Sequence, residues 1–266
     1  MVCTAERMFI AGTFSTRNLR HIYPITARIE SAKLCDLRNI LLKVKPLTAQ
    51  IITVINQKGG SSKTTTAMSI SGALGKRGHS VLLVDADEQQ TALRWSKAAP
   101  LHKPFPAAVI GMASYGEKLH REVQRQLENY DFIVIDTPPA LAAGAPVSAL
   151  LIANLAVVPV PPAPADLWAA RGVKLLIESV QVVNTNLAAV LIASRVQRTS
   201  LTRAVLQEMK HFGIPLINAQ LSNRTAFQEA VLAGTTVCAL GRGAKAAADE
   251  VSAVTDEILD ALGAKK

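Results

Sequence analysis

The chain reads KGGSSKTT from Lys58 to Thr65, directly after the apolar, β-branched run Ile51–Ile55 and before a helix-like run from Thr66 to Leu74. A strand, a glycine turn and a helix start together place backbone N–H groups and a helix dipole where phosphate binds. An ordinary loop of small residues is the alternative. The strand before the loop and the helix after it favour a nucleotide-binding loop.

The residue types in this loop suit different parts of a nucleoside triphosphate and its metal. Gly59 and Gly60 permit a close backbone approach. Lys63 places an ammonium on the β- and γ-phosphates, and Thr64 offers a hydroxyl to Mg²⁺. The predicted nucleotide-contacting residues of the loop are Gly59, Gly60, Ser61, Ser62, Lys63, Thr64 and Thr65.

Lysines stand at both Lys58 and Lys63, and this arrangement resembles the deviant Walker A motif of the ParA/MinD superfamily of P-loop ATPases. The resemblance is strongest to small ParA proteins that lack an N-terminal DNA-binding domain. It implies ATP and Mg²⁺ as cofactors and slow hydrolysis of ATP to ADP and phosphate. It also implies an ATP-dependent homodimer in which Lys58 reaches the phosphates of the partner subunit.

Ser62 departs from the family pattern, which has a glycine directly before the P-loop lysine. If this position requires a positive φ or space beside the phosphates, a serine costs roughly 1 to 2 kcal/mol. Weak ATP affinity or slow turnover would follow. A nucleotide-dependent binding switch with little hydrolysis is therefore an alternative function.

Carboxylates follow two further apolar runs. Asp85 and Asp87 come after residues 80–84, and Asp136 ends the run from Phe132. The carboxyl ends of parallel strands form the edge where open α/β sheets bind ligands. An aspartate-capped turn is the alternative for the first pair.

The family resemblance extends to these carboxylates. The stretch DADEQQ from Asp85 is similar to the D-x-D-P-Q switch I segment, with Glu88 in place of proline. The resemblance implies that Asp87 positions the hydrolytic water, that Asp85 lies near the metal, and that Asp136 is the Walker B aspartate. The predicted catalytic residues are Lys58, Lys63 and Asp87, and the predicted metal-site residues are Thr64, Asp85 and Asp136.

Arginines cluster in the last third of the chain. Arg195, Arg198 and Arg203 lie among hydroxyl side chains, a composition that suits phosphate contacts without base readout, although a solvated helix face is the alternative. Resemblance to ParA proteins implies nonspecific DNA binding here. Asn223 and Arg224 follow a late strand, and the resemblance implies that loops here enclose the adenine. Both residues are therefore candidate contacts to the nucleotide base or to DNA.

Length and composition predict the overall organisation. With 266 residues, 49% of them hydrophobic, the chain suits one α/β domain at residues 50–266. We predict the P-loop NTPase fold, a doubly wound, mostly parallel sheet flanked by helices. Residues 1–49 are predicted to be a flexible extension. Their Arg-rich, acid-poor composition also fits an organelle transit peptide.

Charge and cysteine content indicate the kind of partner and the cellular compartment. The net charge of +9 favours a polyanionic partner such as DNA. Cys3, Cys35 and Cys238 form no C-x-x-C pair, which indicates a reducing compartment and disfavours a metal cluster. The helix predicted at about 247–262 has an apolar stripe among acidic residues, so it should pack on the domain and not on a membrane. We predict a cytoplasmic, nucleoid-associated protein.

The family resemblance implies segregation of plasmid or chromosomal DNA, with a centromere-binding adaptor protein that stimulates hydrolysis. A ParA-like ATPase that positions a protein cargo on the nucleoid, through a cargo adaptor, is the alternative. The residues inside this chain do not distinguish the two.

Overall fold

The computed structural model describes residues 49–139 and 144–264, in which seven strands alternate with eight α-helices. The predicted extension and Cys3 and Cys35 lie almost entirely outside these residues, so the predictions made for them stay predictions. The strands are β1 Gln50–Val54, β2 Val81–Asp85, β3 Ala108–Gly111, β4 Phe132–Asp136, β5 Leu155–Val160, β6 Ala188–Val196 and β7 Leu216–Ser222. The helices are α1 Lys63–Lys76, α2 Thr91–Lys97, α3 Leu119–Gln124, α4 Gly144–Leu150, α5 Pro164–Gln181, α6 Ser200–Lys210, α7 Thr225–Leu232 and α8 Lys245–Ala261.

The strands form one sheet in the order β3-β2-β4-β1-β5-β6-β7. Every strand pair in the described residues is parallel. Strands β1, β2, β4 and β5 are almost wholly buried, as expected for apolar runs covered on both faces. The predicted doubly wound α/β fold is confirmed, with a parallel sheet.

The chain changes direction across the sheet beside β1. After β1 it moves to β2 and β3, returns to β4, and then crosses to β5 on the other side of β1. Ligands in open α/β sheets bind at the carboxyl ends of the strands next to such a reversal. The loop after β1 therefore occupies the expected binding position.

Helices cover both faces of the sheet. Helices α1 and α8 share one apolar core with α2 and α7, and α4, α5 and α6 contribute to the core on the other face. In α8, Val251, Val254 and Ile258 are buried and Leu262 is partly buried against this core, so the predicted packing of the C-terminal helix is confirmed. In the described part of the chain, no helix is long and apolar enough to cross a membrane.

Two local predictions need correction. Charge alternates at helical spacing over residues 117–129, which predicts one helix. The structure has instead the end of a 3₁₀ helix, Ala113–Lys118, followed by the short helix α3. The proline-rich stretch 161–166 predicts a loop, with a helix that begins at Leu167. Helix α5 begins already at Pro164, because a proline fits the first turn of a helix, where no intrahelical N–H bond is needed.

Candidate nucleotide-binding site

The glycine-rich loop starts at a buried asparagine. Asn56 follows β1, and its side-chain amide donates to the carbonyl of Pro159 at the end of β5 (2.7 Å). Its Oδ1 accepts from the backbone N–H of Lys58 at 3.1 Å. Asn56 thus joins the first residues of the loop to the neighbouring strand. Asn56 was not among the residues predicted from the sequence, although a polar residue directly after a buried strand is a signal of such a role.

Gly59 and Gly60 border open space. A Cβ atom added at either position would meet no protein atom within 4 Å, and Gly60 has a φ of +76°. Both glycines line a cavity of about 450 Å³ at the carboxyl edge of the sheet. The room left by these glycines is therefore available to a ligand, as a phosphate cradle requires.

Ser62 occupies the backbone conformation that was in question. Its φ of 71° and ψ of 24° are left-handed, and its side chain makes no capping hydrogen bond to α1. This conformation costs a non-glycine residue roughly 1 to 2 kcal/mol. The position does use a positive φ, so the serine places strain directly before Lys63.

Lys63 is a buried cation at the start of α1. It is only 7% exposed, and its Nζ donates to the carbonyl of Lys58 at 3.3 Å. Burial lowers its pKa, and the carboxylates of Asp136 and Asp87 offset that effect only in part. An anionic phosphate in the cavity would compensate the Lys63 ammonium for its lost solvation. Phosphate binding is the role predicted for this lysine.

Asp136 is a buried carboxylate at the end of β4. Its side chain is 1% exposed, and neither carboxylate oxygen has a hydrogen-bond partner in the described residues. Burial raises its pKa to about 7, although Lys63 and the nearby Thr64 hydroxyl favour the charged form. The Thr64 hydroxyl does not complete a well-formed hydrogen bond to the carboxylate. A buried polar group without a partner is costly.

The oxygens of Asp136 and Thr64 fit Mg²⁺, which prefers such donors. Among the described residues, no group of three or more His, Cys, Asp or Glu side chains is arranged to hold a metal by itself. Mg²⁺ usually keeps several waters and takes phosphate oxygens, so a site with few protein donors suits it.

The two switch carboxylates differ in surroundings. Asp85 is fully buried, and its oxygens accept from the backbone N–H groups of Asp87 at 3.2 Å and of Leu93, in the first turn of α2, at 3.0 Å. Burial raises the pKa of Asp85 more than these bonds lower it. Asp87 lines the cavity and accepts from the N–H of Gln89 at 2.9 Å. Asp87 thus faces the ligand space, whereas Asp85 shapes the loop.

The opposite wall of the cavity comes from β6, β7 and α7. Arg224 is held there by Glu250 of α8, through bonds of 2.7 and 3.1 Å to one carboxylate oxygen. Burial opposes ionisation of Glu250, but the bonds from Arg224 and Ser222 overcome it and lower the pKa of Glu250. The lining residues of this wall are Ser194, Arg195, Leu221, Ser222, Asn223, Arg224, Phe227 and Gln228.

The structure divides the arginine cluster. Arg195 lines the cavity, and its Nη1 donates to the carbonyl of Gly60 at 3.3 Å. Arg198 and Arg203 are exposed and do not line this cavity. Sequence reasoning gave these three arginines one role, and it did not identify Ser194, Phe227 or Gln228.

Lys58 forms an ion pair within its own chain. Its Nζ lies 2.9 Å from Oδ2 of Asp166 in the first turn of α5, and the two side chains are 44% and 13% exposed. The resemblance assigns Lys58 to the partner subunit's phosphates, so this pair must open before the lysine can act there. The sequence pattern alone did not identify Asp166 as the partner of Lys58.

The fold and the cavity define a P-loop nucleotide-binding protein. Residues 52–237 match the family described as "CobQ/CobB/MinD/ParA nucleotide binding domain". The chain belongs to this family, and the resemblance drawn from the two lysines is confirmed.

Individual relatives span most of the chain. "Maintenance of carboxysome distribution protein A" from Halothiobacillus neapolitanus is 32% identical over 78% of this chain and 95% of its own length. "Chromosome-partitioning ATPase Soj" from Thermus thermophilus is 30% identical over 70% of this chain and 86% of its own length. An ATP complex of a McdA variant from Cyanothece has a TM-score of 0.68 at 16% identity, covering 82% of this chain and 98% of that one, and it supports the fold.

Proposed function

We propose that the protein is a ParA-type ATPase that binds ATP and Mg²⁺ in this cavity. The observation that carries the proposal is the combination of a buried cation, Lys63, with a buried carboxylate, Asp136, that has no hydrogen-bond partner among the described residues. The phosphates of a nucleoside triphosphate would compensate the buried ammonium, and its Mg²⁺ would compensate the buried carboxylate.

Each residue then has a separate role in hydrolysis. The N–H groups of the loop and the Lys63 ammonium bind the phosphates and stabilise the charge that develops when water attacks the γ-phosphorus and ADP leaves. Thr64 and Asp136 hold the Mg²⁺, which neutralises phosphate charge. Asp87, on the cavity wall, orients the water. Lys58 completes the partner subunit's site after its pair with Asp166 opens.

The dimer binds DNA through basic residues outside the nucleotide cavity. Arg198 precedes α6, Arg203 lies in its first turns, and Lys210 ends it; all three residues are exposed. Such side chains contact phosphate without reading bases, so binding should weaken steeply with salt. The protein is therefore expected to associate with the nucleoid in the cell.

The cargo is a protein assembly, recruited through an adaptor that stimulates hydrolysis. Support comes from the carboxysome distribution relative, which matches over 95% of its own length. Segregation of plasmid or chromosomal DNA is the second candidate, and the chromosome-partitioning relative favours it.

ATP hydrolysis by the purified protein with Mg²⁺, with and without nonspecific DNA, tests the ATPase proposal. Turnover that DNA stimulates and that Lys63→Ala lacks is the expected result. Lys76→Ala, at the other end of α1, is the matched control and should keep wild-type turnover. Equal phosphate release from wild type and Lys63→Ala would contradict the proposed site.

The cargo is tested in cells of the host. Deletion of the gene should cluster or misplace a protein assembly while plasmids and chromosomes are inherited normally. Loss of DNA inheritance with correctly spaced assemblies would favour partition instead.

A further inference from the structure

The end of β6 is irregular where it meets the P-loop. Its register against β7 shifts between Ala193 and Val196, and Arg195 within that shift has a φ of 53°. Among the described residues, the non-glycine residues with positive φ are Ser62, Gln90 and Arg195. Bulges redirect side chains next to functional sites, and strained backbone concentrates there.

Two consecutive residues of β6 donate to two consecutive carbonyls of the P-loop. The hydroxyl of Ser194, which is fully buried, donates to the carbonyl of Ser61 at 3.2 Å. The guanidinium of Arg195 donates to the carbonyl of Gly60 at 3.3 Å. When loop N–H groups face a phosphate, the carbonyls face away and need partners of their own. We call Ser194 and Arg195 the P-loop brace.

The brace acts at the strained residue. The carbonyl of Ser61 belongs to the peptide bond that joins Ser61 to Ser62, whose φ is 71°. A left-handed non-glycine residue persists only where its surroundings fix the backbone. Ser194 fixes the orientation of this peptide, so the brace opposes relaxation of the loop out of its phosphate-binding shape.

We propose that Ser194 and Arg195 are positioning residues for nucleotide binding, and that Arg195 serves the nucleotide site and not DNA. This inference rests on the proposed function only in requiring that the cavity binds a nucleotide. The strained backbone of Arg195 aims its side chain at Gly60, whereas Arg198, three residues later, points to no P-loop atom in the described contacts.

Equilibrium binding of a fluorescent ADP analogue with Mg²⁺ tests the brace. Arg195→Gly keeps the positive φ without strain and removes only the side chain. It should weaken binding about three- to tenfold, as expected for one charge-assisted hydrogen bond, without lowering the melting temperature. Arg195→Lys should restore part of the affinity, and the matched control Arg198→Ala should leave it unchanged. Wild-type affinity in Arg195→Gly would overturn the proposal.

A DNA-binding measurement separates the brace from a DNA contact. At saturating ATP analogue, fluorescence anisotropy with nonspecific duplex DNA should show weaker binding for Arg198→Ala and unchanged binding for Arg195→Gly. If Arg195→Gly loses DNA binding and keeps nucleotide affinity, the proposal is wrong. A wild-type protein that binds no nucleotide would instead refute the proposed function, which is a distinguishable result.

A double-mutant cycle tests the link to Ser62. Ser194→Ala should weaken analogue binding about threefold or more in the wild-type background, because it releases the strained peptide. In the Ser62→Gly background the same change should cost less, since the relaxed loop no longer needs the bond. Equal costs in both backgrounds would contradict the role of Ser194 in holding the strain.

Discussion

The two walls of the nucleotide cavity are built in opposite ways. The P-loop wall comes from one short stretch of the chain, Gly59–Thr65, which lies between β1 and the first turn of α1. The opposite wall gathers residues from the ends of β6 and β7 and from α7, and the first of them, Ser194, lies 129 positions after Thr65.

The walls also treat charge differently. On the P-loop side, Lys63 and Asp136 are buried and their charges are poorly compensated. On the opposite side, Arg224 is 36% exposed and is neutralised by Glu250. A buried, poorly compensated charge depends on the ligand, whereas an ion-paired surface charge stabilises the protein by itself. Mutations on the two walls should therefore have effects of different size and kind.

The largest effect should come from Lys63→Ala. Loss of the phosphate-binding ammonium should lower kcat by roughly a hundredfold or more, as for other groups that stabilise transition-state charge. Arg224→Ala on the opposite wall should change kcat less than about tenfold, because its charge is engaged by Glu250. Steady-state phosphate release measures both variants. Similar losses in kcat would remove the proposed difference between the walls.

Asp136→Asn should change the pH dependence of stability. In protein without metal or nucleotide, folded Asp136 keeps its proton up to about pH 7. The unfolded chain releases it near pH 4, so the free energy of unfolding falls as pH rises between these values and stays low above them. The full effect is at most roughly 4 kcal/mol, from three pKa units of about 1.36 kcal/mol each. The raised pKa of Asp85 acts in the same direction.

Urea unfolding between pH 5 and 8, in the presence of a chelator, measures this slope. Asp136→Asn should flatten the fall in stability and should be more stable than wild type at pH 8. The exposed Asp249→Asn is the matched control and should keep the wild-type slope. An unchanged slope in Asp136→Asn would mean that this carboxylate is not held neutral by burial.

A moderate effect should come from Ser62→Gly. Glycine adopts a positive φ freely, so the free energy of unfolding should rise by about 1 kcal/mol, and turnover should increase because the loop reaches the phosphates without strain. Urea unfolding and phosphate release measure the two effects. If neither changes, the strain argument fails. If hydrolysis appears only in this variant, the wild type is the nucleotide-dependent switch with little hydrolysis.

The smallest effect should come from Asp166→Asn. This change removes the partner that holds Lys58 in its own subunit, a partly exposed pair worth at most about 1 kcal/mol. ATP-dependent dimerisation should tighten by up to about fivefold, measured by analytical ultracentrifugation with a non-hydrolysable analogue. Glu178→Gln, which breaks the pair with Lys174 further along α5, is the control. Weaker dimerisation in Asp166→Asn would indicate that Asp166 itself supports the dimer.

Much of the P-loop wall was predictable from sequence because its signals are local. Apolar runs predicted β1, β2 and β4, and the spacing of Lys58 and Lys63 identified the family. Local signals were weaker elsewhere. Charge alternation over 117–129 predicted one helix, but burial of Leu119 and Val123 supports only the short helix α3.

The arginine cluster shows where sequence reasoning reached its limit. Arg195, Arg198 and Arg203 have the same charge and similar neighbours, so composition assigned them together. The register shift in β6 turns Arg195 toward Gly60, and it depends on pairing with β7 some twenty residues later. No local pattern encodes that direction.

By itself, the sequence determined the parallel α/β fold and the phosphate-binding loop, because hydrophobic periodicity and glycine conformations act over a few residues. Only the tertiary structure decided that Ser62 is strained, that Asp136 has no hydrogen-bond partner within residues 49–139 and 144–264, that Lys58 pairs with Asp166 and that Arg195 braces the loop. These properties depend on burial and on contacts between distant strands, which arise only when the sheet assembles.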